Sequence, residues 1–385
     1  MLYHLVNWLQ SLGLHFPGIG LMHYLSFRAM LAVVISMLIA FFAGGRIIRW
    51  LQKHQIGEDI RDLGLEGQMQ KKGTPTMGGI IIIVSLLGSV LMVCRLDSIY
   101  TILLMLTTVW CGGIGFMDDY IKVFRHNKEG LSEKGKLLLQ FGLGLAVALT
   151  VCISPDIPTD KLVTTIPFVK AHEFDYSWLS PFRGQAGVYC SWGIYMLMII
   201  VVILACSNGT NLTDGMDGLA SGTSAIVGVV IGVMAWLSGD ALDAEYLNIM
   251  FIPGAGEVAI FMAAFVGALI GFLWYNTFPA QVFMGDSGSL TIGGIIGVSA
   301  VLIRTELLLP LLCGIFLMES LSVIIQRSYF KKTKRKYGEG RRVFLMAPLH
   351  HHYQKKGIPE PRIVTRFWIV GIILAVSTLA VMKIR

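Results

Sequence analysis

Long apolar runs, broken by short clusters of Gly, Pro, Asp, Lys and Arg, recur along the whole chain. A helix needs about 20 mostly apolar residues to cross a bilayer. Ten runs qualify, at roughly 26–48, 75–95, 99–117, 136–153, 188–206, 219–238, 257–274, 289–304, 306–326 and 364–383. The pattern predicts an all-α, polytopic membrane protein of about ten transmembrane helices, forming one domain over residues 1–385. The first 25 residues are apolar but lack a basic n-region and an A-x-A site, so they do not read as a cleaved signal. Trp8, His15 and Pro17 instead predict an interfacial helix and a turn. In the longest connection on its side, residues 154–187, the segments Leu162–Val169 and Glu173–Leu179 predict a short hairpin.

Charge sets the orientation. The chain is 55% hydrophobic and only 14% charged, against about 25% charged in soluble domains. Its net charge of +7 is not a nucleic-acid footprint, because the basic residues sit between apolar runs. Most lie in or beside the connections after the first, third and ninth helices, Lys331, Lys332, Lys334, Arg335 and Lys336 among them. The positive-inside rule then places these connections in the cytoplasm and both termini in the periplasm. Six cysteines in or beside apolar runs, without metal spacing, read as small buried hydrophobes. No internal repeat is visible, which argues against the inverted repeats of many transporters.

Five aspartates fall at cytoplasmic helix ends. Asp118 and Asp119 follow the third helix, Asp214 and Asp217 precede the sixth, and Asp286 precedes the eighth. Helix capping explains Asp217 and Asp286 individually. It explains Asp118-Asp119 poorly, since acids at a helix C-terminus oppose the dipole. Adjacent carboxylates near a membrane are costly, and Mg²⁺, held by one or two carboxylates with substrate phosphates, would relieve them. Asn211, Asp214 and Asp217 at i, i+3, i+6 would line one face of a helical turn. Two further clusters are polar. Lys71-Lys72-Gly73-Thr74-Pro75-Thr76-Met77-Gly78-Gly79 opens the second helix with lysines suited to an anion. Pro348-Leu349-His350-His351-His352-Tyr353 lies in the last cytoplasmic loop. Neighbouring histidines rarely all reach one ion, so hydrogen bonding to phosphate or uridine is preferred over zinc, with a purely structural or interfacial role as the other alternative. Lys122 and Lys134 divide between topology and chemistry. Glu319 alone is clearly placed within a span, where it would pair with a polar group or support the site.

Together these motifs resemble the phospho-N-acetylmuramoyl-pentapeptide transferase (MraY) family. The family belongs to the polyprenyl-phosphate N-acetylhexosamine-1-phosphate transferase superfamily. The resemblance runs from the first helix to the C-terminus. It implies a bacterial inner-membrane, multi-pass enzyme of peptidoglycan synthesis. That enzyme moves phospho-N-acetylmuramoyl-pentapeptide from its UDP form to undecaprenyl phosphate, giving lipid I and UMP with Mg²⁺. By motif, Asp286 would hold the metal, and Asp118 and Asp119 would bind or activate the lipid phosphate. Lys71, Thr76, Lys122, Lys134, Asn211, Asp214, Asp217, Asn276 and Ser289 would line the substrate site. Phe283 would stack on uracil, and His350, followed by His351 and His352, would be the most sensitive histidine. The resemblance leaves a homodimer open and gives no role to nucleic acid. The rivals are an N-acetylglucosamine-1-phosphate transferase and, from another class, a proton- or cation-coupled transporter, whose acids would sit near the bilayer midplane.

Overall fold

The computed structural model describes all residues except 14–18, 55–72, 126, 128–129, 158–161, 167–172, 248 and 383–385. A helix occupies each of the ten apolar runs. In order they are α2 (Leu25–Lys53), α3 (Gly79–Val93), α4 (Ile99–Phe124), α5 (Glu133–Ile153), α6 (Gly184–Thr213), α7 (Leu219–Gly239), α9 (Ala255–Asn276), α10 (Gly285–Leu302), the pair α11 (Leu309–Leu312) and α12 (Gly314–Tyr337), and α14 (Glu360–Val381). Among the described residues there are also three shorter helices: α1 (Leu2–Ser11) at the N-terminus, α8 (Ala241–Leu247) after α7, and α13 (Leu349–Lys355) before α14. Among the described residues eight helices are long and apolar enough to cross a membrane. The ninth run is bent by 77° between Leu312 and Gly314 and counts as a ninth span if the pair is one. The helix of the second run, α3, is only 15 residues long. Its expected first turn, residues 75–78, is used differently. Phe283 N donates to Pro75 O, Gly78 N to Phe283 O, and Gly79 N to Met284 O, each at 2.8 Å. Met77 within it is held left-handed at φ 70°.

The hairpin forms as expected, with β1 (Val163–Thr165) antiparallel to β2 (Glu173–Asp175). It docks on the bundle through Arg304 O, which accepts from Thr165 N at 2.8 Å. Tyr176 Oη donates to buried Glu306 at 3.1 Å. This end of the bundle is opposite the acidic motifs.

Helix α10 is the hub. Its residues from Ser287 to Leu302 are all buried, and α3, α4, α6, α7 and α9 pack around it. Small residues permit this, as in other membrane bundles where backbones must approach closely. A Cβ on Gly115 of α4 would lie 2.2 Å from Asp286 O, and one on Gly79 of α3 would lie 2.1 Å from Gly288 N. Neither contact is to a side chain that could yield. The helix that carries Asp286 is therefore fixed against α3 and α4 at backbone contact.

Two sequence expectations need correction here. Asp118 and Asp119 do not lie in a connection after the third helix. They lie inside α4, which continues to Phe124. The apolar run stops at Met117, but hydrogen bonding carries the helix on through Tyr120, Ile121, Val123 and Phe124. Asn211, Asp214 and Asp217 do not share a helix face. Helix α6 ends at Thr213, Asp214 has left helical geometry at ψ 60°, and Gly218 turns the chain at φ 77°. The glycines on either side of Met216-Asp217 make a turn more favourable than another helical turn.

Candidate active site

Three carboxylates meet where the C-terminal half of α4 crosses the start of α10. Oxygens of Asp118, Asp119 and Asp286 lie within 4.8 Å of one another. Each is held differently. Asp119 is buried and accepts from two backbone N–H groups at the α10 N-terminus, Asp286 N at 3.1 Å and Ser287 N at 3.0 Å. The acid that opposes the dipole of its own helix thus meets the favourable end of another. Asp118 is also fully buried. Its Oδ1 accepts from Leu131 N at 2.6 Å, and its Oδ2 meets Lys122 at 2.7 Å and Lys136 at 2.9 Å. Asp286 is the partly exposed member, with 16% of its side chain open. Its Oδ2 meets Lys136 at 2.6 Å and Lys122 at 3.3 Å, while Oδ1 accepts from Asn211 Nδ2 at 2.9 Å.

The donor set suits a hard divalent cation: carboxylate oxygens only, with one carboxylate facing solvent. Two ammonium groups facing three carboxyl groups also leave the cluster short of positive charge when all three acids are ionised. Asp286, with Asp118 and Asp119 behind it, is the group that fits a metal.

A second tier surrounds the cluster. Asn211 also donates to Ser289 Oγ at 2.9 Å. Thr76 is buried beside Gly285. Asn276 is buried, and its amide binds backbone: Oδ1 accepts from Gly218 N at 3.0 Å and Nδ2 donates to Val282 O at 3.0 Å. Asp217 accepts from Ala280 N at 3.0 Å and donates its own N–H to Glu360 at 2.7 Å. These two side chains hold the Asp214–Gly218 turn against the loop before α10, where Phe283 is half-buried.

The histidine run opens α13. His350 is 1% exposed, and its backbone N donates to Glu319 Oε1 at 3.2 Å. Its ring abuts Gly215, where a Cβ would lie 2.2 Å from Nε2. His351 pairs with Gln354 at 3.1 Å. Nδ1 of His352 accepts from Leu345 N at 3.1 Å. Partial burial and the Lys356 ammonium hold His352 below the ordinary imidazole range, consistent with a neutral ring accepting at Nδ1.

The structure therefore gathers Asp118, Asp119, Asp286, Asn211, Ser289, Thr76, Lys122, Asp214, Asp217, Asn276, Phe283 and His350 at one end of the bundle. Lys71 lies outside the described residues. Lys134 is exposed on the first turn of α5; the lysine that reaches the carboxylates is Lys136, which the sequence reading missed. A signal existed. Two lysines in the first turn of a helix capped by Ser132 oppose its dipole, so one of them should be held by acids from elsewhere.

The paired aspartates differ in what their loss should do. Asp119→Asn places an amide NH₂ against one of two backbone donors, which it cannot accept from. It should lower both activity and stability, by about 1–3 kcal/mol for an unsatisfied buried donor. Thermal unfolding in detergent checks this; a wild-type melting temperature would contradict the contact.

Residues 101–304 match the glycosyl transferase family 4 profile. Residues 71–83 match the first phospho-N-acetylmuramoyl-pentapeptide-transferase signature. Proteins named phospho-N-acetylmuramoyl-pentapeptide-transferase are 52% identical in Parabacteroides distasonis and 53% identical in Flavobacterium psychrophilum, and 51% identical in Porphyromonas gingivalis. Each alignment covers 100% of both chains.

Proposed function

The chain belongs to the phospho-N-acetylmuramoyl-pentapeptide-transferase family, and on that premise we propose how its acidic cluster serves the reaction and which substrates it takes. The donor is UDP-N-acetylmuramoyl-pentapeptide, the acceptor is undecaprenyl phosphate, and the products are lipid I and UMP in peptidoglycan synthesis. The proposed placement puts the site at the cytoplasmic face of the bacterial inner membrane and both termini in the periplasm, a reading supported by the positive-inside distribution of Lys and Arg. One observation carries the assignment of the site: a partly exposed carboxylate, Asp286, set among two buried acids and two lysines at a helix N-terminus.

The chemistry follows from charge. The acceptor is a phosphate monoester with a second pKa of about 6, so it is largely dianionic near neutral pH and needs little help from a base. Its obstacle is repulsion from the donor pyrophosphate. Phosphoryl transfer is chiefly positioning and charge neutralisation. Mg²⁺ bound at Asp286 would supply charge neutralisation to the phosphate oxygens. Lys122 and Lys136, now held on Asp118 and Asp286, are placed to receive phosphate oxygens on the same side. Asp118 and Asp119 have their oxygens occupied by ammonium and backbone N–H groups, which suits positioning more than proton abstraction. Direct in-line attack by the acceptor is accordingly preferred to an aspartyl-phosphate intermediate. Asn211, Asp214 and Ser289, with Thr76, His350, His351 and His352, line the donor's nucleotide and pyrophosphate, Phe283 offers a ring to uracil, and Lys71 is assigned to the same substrate by its motif alone. Lys134 contributes from the rim. Asn276 and Asp217 shape the turn beneath.

The test is UMP release by purified protein with Mg²⁺ and undecaprenyl phosphate, offering each donor separately. The muramoyl-pentapeptide nucleotide should support turnover and UDP-N-acetylglucosamine should not. The reverse preference would move the chain to the neighbouring branch of the superfamily.

A further inference from the structure

Glu319 is fully buried in α12, a costly position for a carboxylate unless it is matched. Both matches come from one residue. The His350 backbone N–H donates to Oε1 at 3.2 Å, and His350 Nδ1 lies 3.2 Å from Oε2. The second approach is a close charge contact and not a hydrogen bond. Among the described residues, the far ring nitrogen lacks even a facing carboxylate. Nε2 is buried and has no hydrogen-bond partner, and it lies against Gly215, which is itself exposed between Thr213 and Asp217. A buried polar atom left unpaired costs about 1–3 kcal/mol, and native structures keep few of them without a reason. A glycine at 215 is what lets the ring come this close to the turn.

We propose that Glu319 is a positioning residue of the transfer reaction, fixing the His350 ring so that Nε2 is presented at the Gly215 turn to a phosphate oxygen of the bound nucleotide. This rests on the functional reading above. A carboxylate at Nδ1 compels that nitrogen to carry its proton, which settles the ring's orientation. A ring that carries a proton on each nitrogen donates to both anions, Glu319 at Nδ1 and the phosphate at Nε2. A carboxylate that orients and charges a histidine from behind is a general device for holding one ring nitrogen ready for its ligand. The competing explanation is that Glu319 only caps the first turn of α13.

Glu319→Gln separates the two. The amide oxygen still accepts from His350 N, so the cap survives, while the charge behind Nδ1 is lost. The measurements are UMP release per folded protein and ¹⁵N spectra of histidine-labelled protein in detergent, with His350 assigned by its absence in His350→Asn. We expect kcat to fall about 10–100-fold, the range for losing a group that orients a functional histidine, and the His350 ring signals to shift from a fixed Nδ1–H form toward a tautomer mixture. Wild-type kcat in Glu319→Gln would overturn the proposal. So would a fall in kcat with His350 ring signals unchanged, since the effect would then not pass through the ring. If the glutamine variant does not fold, Glu319→Asp is read by the same two measurements. Wild-type protein that releases no UMP would fail the functional reading instead, and the ring spectra would still report on the Glu319–His350 pair.

Discussion

Asp286→Asn should abolish turnover, by on the order of 10³-fold or more, while leaving the protein folded and inserted. The scale is that of a single charge-stabilising group in phosphoryl transfer. The side chain is the partly exposed carboxylate of the cluster, and its oxygens meet Lys136, Lys122 and Asn211. An amide of nearly the same shape would keep the packing of α10, which depends on Gly115, Gly79 and the buried apolar face rather than on this side chain. Excess Mg²⁺ should restore little, because the missing ligand is local. Near-normal turnover in the variant would remove Asp286 from the site.

The second large effect belongs to Lys136. Its ammonium is 2.9 Å from Asp118 and 2.6 Å from Asp286, and it is fixed by the first turn of α5. Lys136→Ala should lower kcat by on the order of 10²-fold, as expected when one preorganised donor to developing charge is lost. Lys134→Ala should cost much less, since that side chain is exposed two residues earlier. Each is measured by UMP release at saturating donor. Equal losses in the two variants would mean that the basic rim as a whole, rather than one placed ammonium, supports the reaction.

The sequence made the fold legible because bilayer thickness imposes a length on every apolar run, and that length survives without any tertiary information. Each of the ten runs does hold a helix. What it could not show was where helices continue past their apolar segment. Asp118 and Asp119 looked like loop residues because hydropathy falls at Met117, yet α4 runs two turns further, and the α10 N-terminus that receives Asp119 is distant in sequence. Motif spacing singled out most of the residues that the structure gathers at one end of the bundle, but spacing does not report which way a turn faces. Asn211 and Asp217 are six residues apart and point to different partners, Asp286 and the Ala280 amide. Lys136 was hidden for the same reason: its partners are in α4 and α10. Glu319 was visible as an acid inside a span, and the structure supplied its partner, His350.

We propose that Asp286 holds a divalent cation, with Asp118 and Asp119 behind it and substrate phosphate completing the site. Mn²⁺ electron paramagnetic resonance on the purified protein, with the muramoyl-pentapeptide nucleotide present, tests it most directly. Wild-type protein should bind Mn²⁺ at one site, in competition with Mg²⁺, and Asp286→Asn should lose that binding while still unfolding cooperatively. Mn²⁺ binding of wild-type strength in Asp286→Asn would contradict the account.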